Sequence, residues 1–163
     1  MNKLLLIPML AAASVCAFSQ GLTPKQAFEE LKKLAGKWEM KGPDGLTVVT
    51  YKVTGAGSAL VETQFAGEAH EMVSVYHMDG KDLYLTHYCA AGNQPTLKYV
   101  PGKDAKVLFF NFVRGTNMKP TDMHIHSAKH HLKGTDELQS DWTGWSGGKP
   151  GSSISLKVKR VKS

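Results

Sequence analysis

The stretch His70–Pro95, HEMVSVYHMDGKDLYLTHYCAAGNQP, decides the fold. Two strand-like runs flank Asp79-Gly80, a residue pair that favours a two-residue hairpin loop because both tolerate the backbone such a loop requires. A loop there pairs Met78 with Lys81, Tyr76 with Leu83, Ser74 with Leu85, Met72 with His87 and His70 with Cys89. Side chains alternate along a strand, so all of these share one face. The other face carries Glu71, Val73, Val75, His77, Asp82, Tyr84, Thr86 and Tyr88. The first face, with Met, Tyr and Leu leading to a His/Cys end, is expected to line an interior. The opposite choice would place Tyr84, Tyr88 and Glu71 inside.

Upstream of this hairpin, Thr23-Pro24 opens a helix, with Thr23 as N-cap and Pro24 in the first turn. Phe28, Leu31, Leu34 and Ala35 recur at helical spacing, opposite Glu29, Glu30, Lys32 and Lys33, and Gly36 ends the helix at about 24–35. From Trp38 onward the pattern is β. Strands are expected at 38–40, 46–54, 59–65, 71–78, 83–88, 96–100, 107–113, 123–129, 137–143 and 154–161, with polar or Gly-rich loops at 114–120 and 144–152. The run Val107–Val113 reads as a well-buried strand, and His130-His131 as a turn before Gly134. Ten short strands in a meander after one helix predict a single all-β domain. It is expected to be an antiparallel up-and-down β-barrel of about ten strands over about 37–161, because closure leaves no exposed sheet edge. A barrel of that strand number can enclose a small ligand.

The first residues predict export. Lys3 precedes the apolar run Leu4–Ala13, which is too short to cross a membrane, and Ala17-Phe18-Ser19 offers small residues for cleavage before Gln20. Residues 1–19 are thus expected to be a signal peptide, and residues 20–163 the barrel domain, periplasmic or secreted. A cut after Ala17 is the alternative. No later run is long and apolar enough for an integral membrane segment. Loss of Cys16 on export would leave Cys89 as the remaining thiol, so the fold is not expected to be stapled by a disulfide. The net charge is +6, but the lysines are scattered singly, and the basic tail Lys157–Lys162 alternates with Leu156, Val158 and Val161 as a strand does. No basic-aromatic recognition motif accompanies the charge, so nucleic acid is not an expected partner.

Gly36-Lys37-Trp38, a G-x-W after a short helix at the start of the first strand, resembles the lipocalin (calycin) superfamily. The strings Tyr76–Gly80, Leu85–Cys89 and Gly92–Pro95, followed by His124-Ile125-His126 and Trp142, resemble exported bacterial lipocalin-like proteins, a family without an assigned function. The resemblance spans essentially the whole chain after the first residues. It implies that Trp38 plugs one end of a barrel and that a basic residue of the last strand, here Arg160, packs on it. It implies the fold, and small-molecule binding only loosely.

The candidate ligand-binding residues are His87, the leading anchor, with Cys89, His70, Met72 and Tyr76 on the same face. His124 and His126, two apart on one strand, support them if that strand points inward. The expected function is carriage or sensing of a small, partly apolar molecule in the barrel interior, since apolar walls with sparse polar anchors are the make-up of a ligand pocket. Two alternatives follow from the same residues. One is a His/Cys metal site or a haem ligated by a barrel histidine, although no tight metal or haem-attachment spacing is present. The other is an enzyme with Cys89 as nucleophile and His70 or His87 as base, although the chain contains no nucleophile elbow, phosphate-cradling loop or acidic orienter. Neither cofactor nor oligomeric state is fixed by the sequence.

Overall fold

The computed structural model describes residues 21–43 and 45–162, so the expected export segment lies outside the described residues. Its order is α1 (Pro24–Lys32), β1 (Gly36–Gly42), β2 (Gly45–Thr54), β3 (Ala59–Gln64), β4 (Met72–Asp79), β5 (Asp82–Tyr88), β6 (Gln94–Val100), β7 (Val107–Thr116), β8 (His124–Leu132), β9 (Glu137–Ser146) and β10 (Lys149–Arg160). Each strand pairs antiparallel with the next, and β1 pairs with β10 to close a ten-stranded barrel. Among the described residues no helix is long and apolar enough to cross a membrane.

The helix begins where its cap directs. The Thr23 hydroxyl accepts from the Gln26 N–H, and the Gln26 side chain accepts from the Thr23 N–H, so two otherwise unpaired donors are satisfied reciprocally. Ala27, Phe28 and Leu31 turn inward and cover one end of the barrel. Trp38 is fully buried beneath them, its indole N–H donating to the Leu34 carbonyl at 2.8 Å. The Arg160 guanidinium lies 4.2 Å from the centroid of the Trp38 ring. Its Nη1 and Nη2 donate to the carbonyls of Ala35 and Lys33, at 2.8 and 2.9 Å. Charge, ring face and two helix-end carbonyls thus lock the chain's first and last strands together. Gly36 makes room for this: its φ is +131°, and a Cβ there would stand 3.1 Å from Arg160 Nη1.

The central hairpin differs from its expected register in an instructive way. Asp79 pairs with Asp82, so the two-residue loop is Gly80-Lys81, with Gly80 at φ 57° in the first loop position. A type II′ turn reserves that position for glycine. Sliding the loop by one residue re-pairs every position, giving Tyr76 with Leu85 and Ser74 with His87. It leaves the parity of both strands unchanged, so Ser74, Tyr76, Leu83, Leu85 and His87 still face inward and are buried. The ladder ends at Val73–Tyr88, and His70 therefore does not lie opposite Cys89.

Three further expectations are corrected. The Gly-rich stretch is not one long loop, because β9 runs to Ser146 and β10 starts at Lys149, with a bulge between Pro150 and Ser153 that absorbs the irregular residues. His130 and His131 are not in a turn, because β8 continues to Leu132 and pairs His130 with Ser140. The apolar run of β7 is only half buried. Phe110 is enclosed, whereas Phe109 lies toward the outside with the Lys129 ammonium 5.7 Å from its ring centroid.

Candidate functional site

The barrel interior is filled in two storeys. Next to α1, Trp38, Leu60, Leu83, Leu97, Leu108 and Phe110 form a dry core. Above it lies a connected polar layer that sequence reading missed. Glu62 on β3 is fully buried and receives three hydrogen bonds: Tyr51 Oη at 3.0 Å, Gln64 Nε2 at 3.0 Å and Tyr76 Oη at 2.5 Å. Because the Tyr76 hydroxyl donates to Glu62, it accepts from His130 Nε2–H at 3.0 Å, and His130 Nδ1 in turn accepts from the Ser140 hydroxyl at 2.9 Å. Cross-strand pairing places these partners: Tyr51 sits opposite Glu62 and His130 opposite Ser140.

Burial sets the proton affinities of this layer. It raises the Glu62 carboxyl above its ordinary range, against its three donors, which act in the opposite sense. Burial, reinforced by the Glu62 charge, holds both tyrosine hydroxyls well above theirs. It lowers His130 from 6.5 to about 4, so this ring is neutral at pH 7. The layer is a satisfied network and closes the lower barrel.

The space that remains lies at the barrel end opposite α1. A cavity of about 30 Å³ is walled by Phe65, Met72, Ile125, Ile154 and Leu156. Gln64, His87 and Trp142 complete its lining. This is room for one or two water molecules, far less than the open interior that strand number suggests. His87 and Trp142 are 1% and 3% exposed, and their rings lie 5.1 Å apart, centroid to centroid. His87 Nδ1 bonds the Ser74 hydroxyl at 2.9 Å, but His87 Nε2 and Trp142 Nε1 have no hydrogen-bond partner. Burial lowers His87 from 6.5 to about 4.

A larger groove of about 310 Å³ adjoins the cavity from outside, lined by Met40, Leu46, Glu68 and His70 among others. Phe65, Ile154 and Leu156 line both spaces. The groove forms because β1 and β10 pair only at Trp38–Arg160 and Glu39–Lys159, after which the two edges part. Phe65 stands between cavity and groove with φ +56°, a left-handed backbone that costs a non-glycine residue about 1–2 kcal/mol. Its ring is tilted against that of His70, 4.5 Å away.

The structure therefore distributes the sequence-predicted residues. His87 and Met72 line the cavity, and Tyr76 belongs to the polar layer below it. His70 is outside the barrel in the β3–β4 connection and lines the groove. Cys89 lies past the end of β5, where its Sγ receives the Ala91 N–H at 3.5 Å, and no histidine hydrogen-bonds it among the described residues. The pairing of Cys89 with His70 that a nucleophile–base arrangement needs is absent for the register reason given above. His124 and His126 bond one another, Nε2 to Nδ1 at 3.1 Å; His126 is stacked between Phe112 and Trp145, and His124 is tilted against Phe112. A bulge at this point of β8 breaks the alternation, and the residue of this segment that reaches the cavity is Ile125. Among the described residues, no group of three or more His, Cys, Asp or Glu side chains is arranged to hold a metal ion. No protein-family model matches the chain, and no curated protein is significantly similar to it.

Proposed function

We propose that the protein is an exported, lipocalin-like barrel that carries or senses a small, partly apolar molecule, bound at the end of the barrel opposite α1. One observation carries this reading: two buried ring nitrogens, His87 Nε2 and Trp142 Nε1, lack partners in residues that line an apolar cavity. A buried donor without an acceptor costs about 1–3 kcal/mol, so natural interiors rarely keep two together without a use for them. The cavity and the 310 Å³ groove share the walls Phe65, Ile154 and Leu156. Movement of Phe65, already in an unfavourable backbone region, would join the two into a space within the range of small-molecule sites, about 300–1,000 Å³. Export rests on the Leu4–Ala13 apolar run and the small residues at Ala17-Phe18-Ser19.

The test combines two measurements on protein purified under native conditions from an exporting bacterial host. Organic extraction with mass spectrometry is expected to release an apolar small molecule in near-stoichiometric amount, or, if the site is vacated on purification, ketones, alcohols and alkenes of four to ten carbons are expected to bind saturably at one site. No extracted molecule and no saturable binding across that set would overturn the reading.

A further inference from the structure

We propose that the cavity recognises a neutral carbonyl oxygen, held by paired hydrogen bonds from His87 Nε2–H and Trp142 Nε1–H, with the apolar remainder of the molecule directed past Phe65 into the groove. This rests on the ligand-binding reading above and narrows it to a chemical class.

The donors are fixed by what surrounds them. Indole Nε1 can only donate. For His87 the tautomer follows from Ser74, which is fully buried and whose hydroxyl bonds His87 Nδ1 and no other side chain among the described residues. If Nδ1 carried the proton, the Ser74 hydroxyl hydrogen would be left without an acceptor. The satisfied arrangement has Ser74 O–H donating to Nδ1, which puts the ring proton on Nε2. Ser74 is the cross-strand neighbour of His87 on β4, so Nδ1 is engaged at the barrel wall and Nε2 is the ring nitrogen left without a partner. Trp142 comes from β9, on another side of the barrel. The two donors sit in rings whose centroids are 5.1 Å apart and which line the same cavity, so one acceptor with two lone pairs can meet both, and that is what a carbonyl oxygen presents.

Charge argues for a neutral carbonyl over a carboxylate. None of the cavity-lining residues carries a charge at pH 7, His87 being held neutral by burial. An anion would be desolvated there without a cation to meet it. The walls Met72, Ile125 and Leu156 offer only apolar contact to the carbon skeleton. The simplest competing occupant is a water molecule, which fits the volume and also accepts twice.

Affinities for 2-hexanone, for 2-methyl-1-hexene (the same shape with =CH₂ in place of =O) and for hexanoate separate these cases on the unaltered protein. The Trp142 indole N–H is followed by NMR. The ketone is expected to bind roughly tenfold tighter than the alkene, as two modest net hydrogen bonds would give, and to shift the indole signal to saturation. Trp142→Phe and His87→Leu, checked for folding by near-UV circular dichroism, are expected to narrow the ratio of ketone to alkene affinity. Equal binding of ketone and alkene would overturn the carbonyl assignment and leave the ligand-binding reading standing. Tighter binding of hexanoate would overturn it in favour of an anion site. Ketone binding that leaves the indole signal in place would show that the acceptor is read elsewhere. Binding of neither ketone nor alkene would mean a cavity holding water only, and would count against the ligand-binding reading as well.

Discussion

Acidification should unfold this barrel from within, because two of its buried histidines must remain neutral in the folded state. His87 and His130 are each lowered from 6.5 to about 4, chiefly by burial. His130 meets Tyr76 from β4 and Ser140 from β9, with His131 adding to the shift and Asp141 opposing it. His87 meets Ser74 and Trp142. A depressed histidine contributes stability that is complete above the unfolded value and is lost as pH falls from about 6.5 to about 4, because the unfolded chain binds the proton first. Each ring is worth on the order of 3 kcal/mol across that window, and together about 6 kcal/mol. Glu62, with its carboxyl raised, works in the opposite sense and offsets part of the loss as it takes up its proton. The remainder is a large share of the roughly 5–15 kcal/mol that holds a domain folded. Urea unfolding at pH 7, 6, 5 and 4.5 should show stability falling by one to two protons' worth per pH, about 1.4–2.7 kcal/mol per unit. A His87→Gln/His130→Gln double variant, which keeps polar side chains that do not titrate, should flatten the slope. An unchanged slope in the double variant, or flat stability between pH 7 and 5 in the parent, would refute the assignment of the acid response to these rings.

Other outcomes follow from particular contacts. Trp38→Ala removes the ring between α1 and Arg160 and should cost about 3–5 kcal/mol in chemical denaturation, with stability within 1 kcal/mol of the parent, on the order of surface-site changes, telling against its role as end plug. Phe65→Gly relieves a left-handed backbone and removes the ring between groove and cavity, so stopped-flow association of 2-hexanone should accelerate several-fold with little loss of stability. An unchanged rate would place the way in elsewhere. N-terminal sequencing of protein recovered from the periplasm or medium should start near Phe18 or Gln20, and an intact Met1 on that material would contradict export.

Much of the fold is legible in the sequence because its cues are local. Thr23-Pro24 caps a helix whatever lies beyond it, and the alternation in Met72–Met78 and Leu83–Tyr88 survives a misplaced loop because the error is an even number of residues along the ladder. The polar layer is not local. Glu62 alternates with Leu60 and Gln64, so placing Leu60 inward would have placed Glu62 inward too, and a buried carboxylate would then have called for the tyrosines of the neighbouring strands. Gly134 close by points to a turn at His130, whereas pairing with Ser140 across the β8–β9 hairpin is what places that residue inside. The small cavity depends on how Phe65 of the β3–β4 connection, Trp142 of β9 and Leu156 of β10 fill space together, which no spacing along the chain encodes.

The central claim is that a small molecule occupies the space between His87, Trp142 and Met72. NMR titration of methyl-labelled methionine in the full mature chain with 2-hexanone tests it most directly. The account predicts a saturable, one-site shift of the Met72 methyl together with the Trp142 indole, while Met118 and Met123, which do not line the cavity, stay in place. Shifts confined to Met118 and Met123, or none at Met72 up to the solubility limit of the ketone, would contradict it.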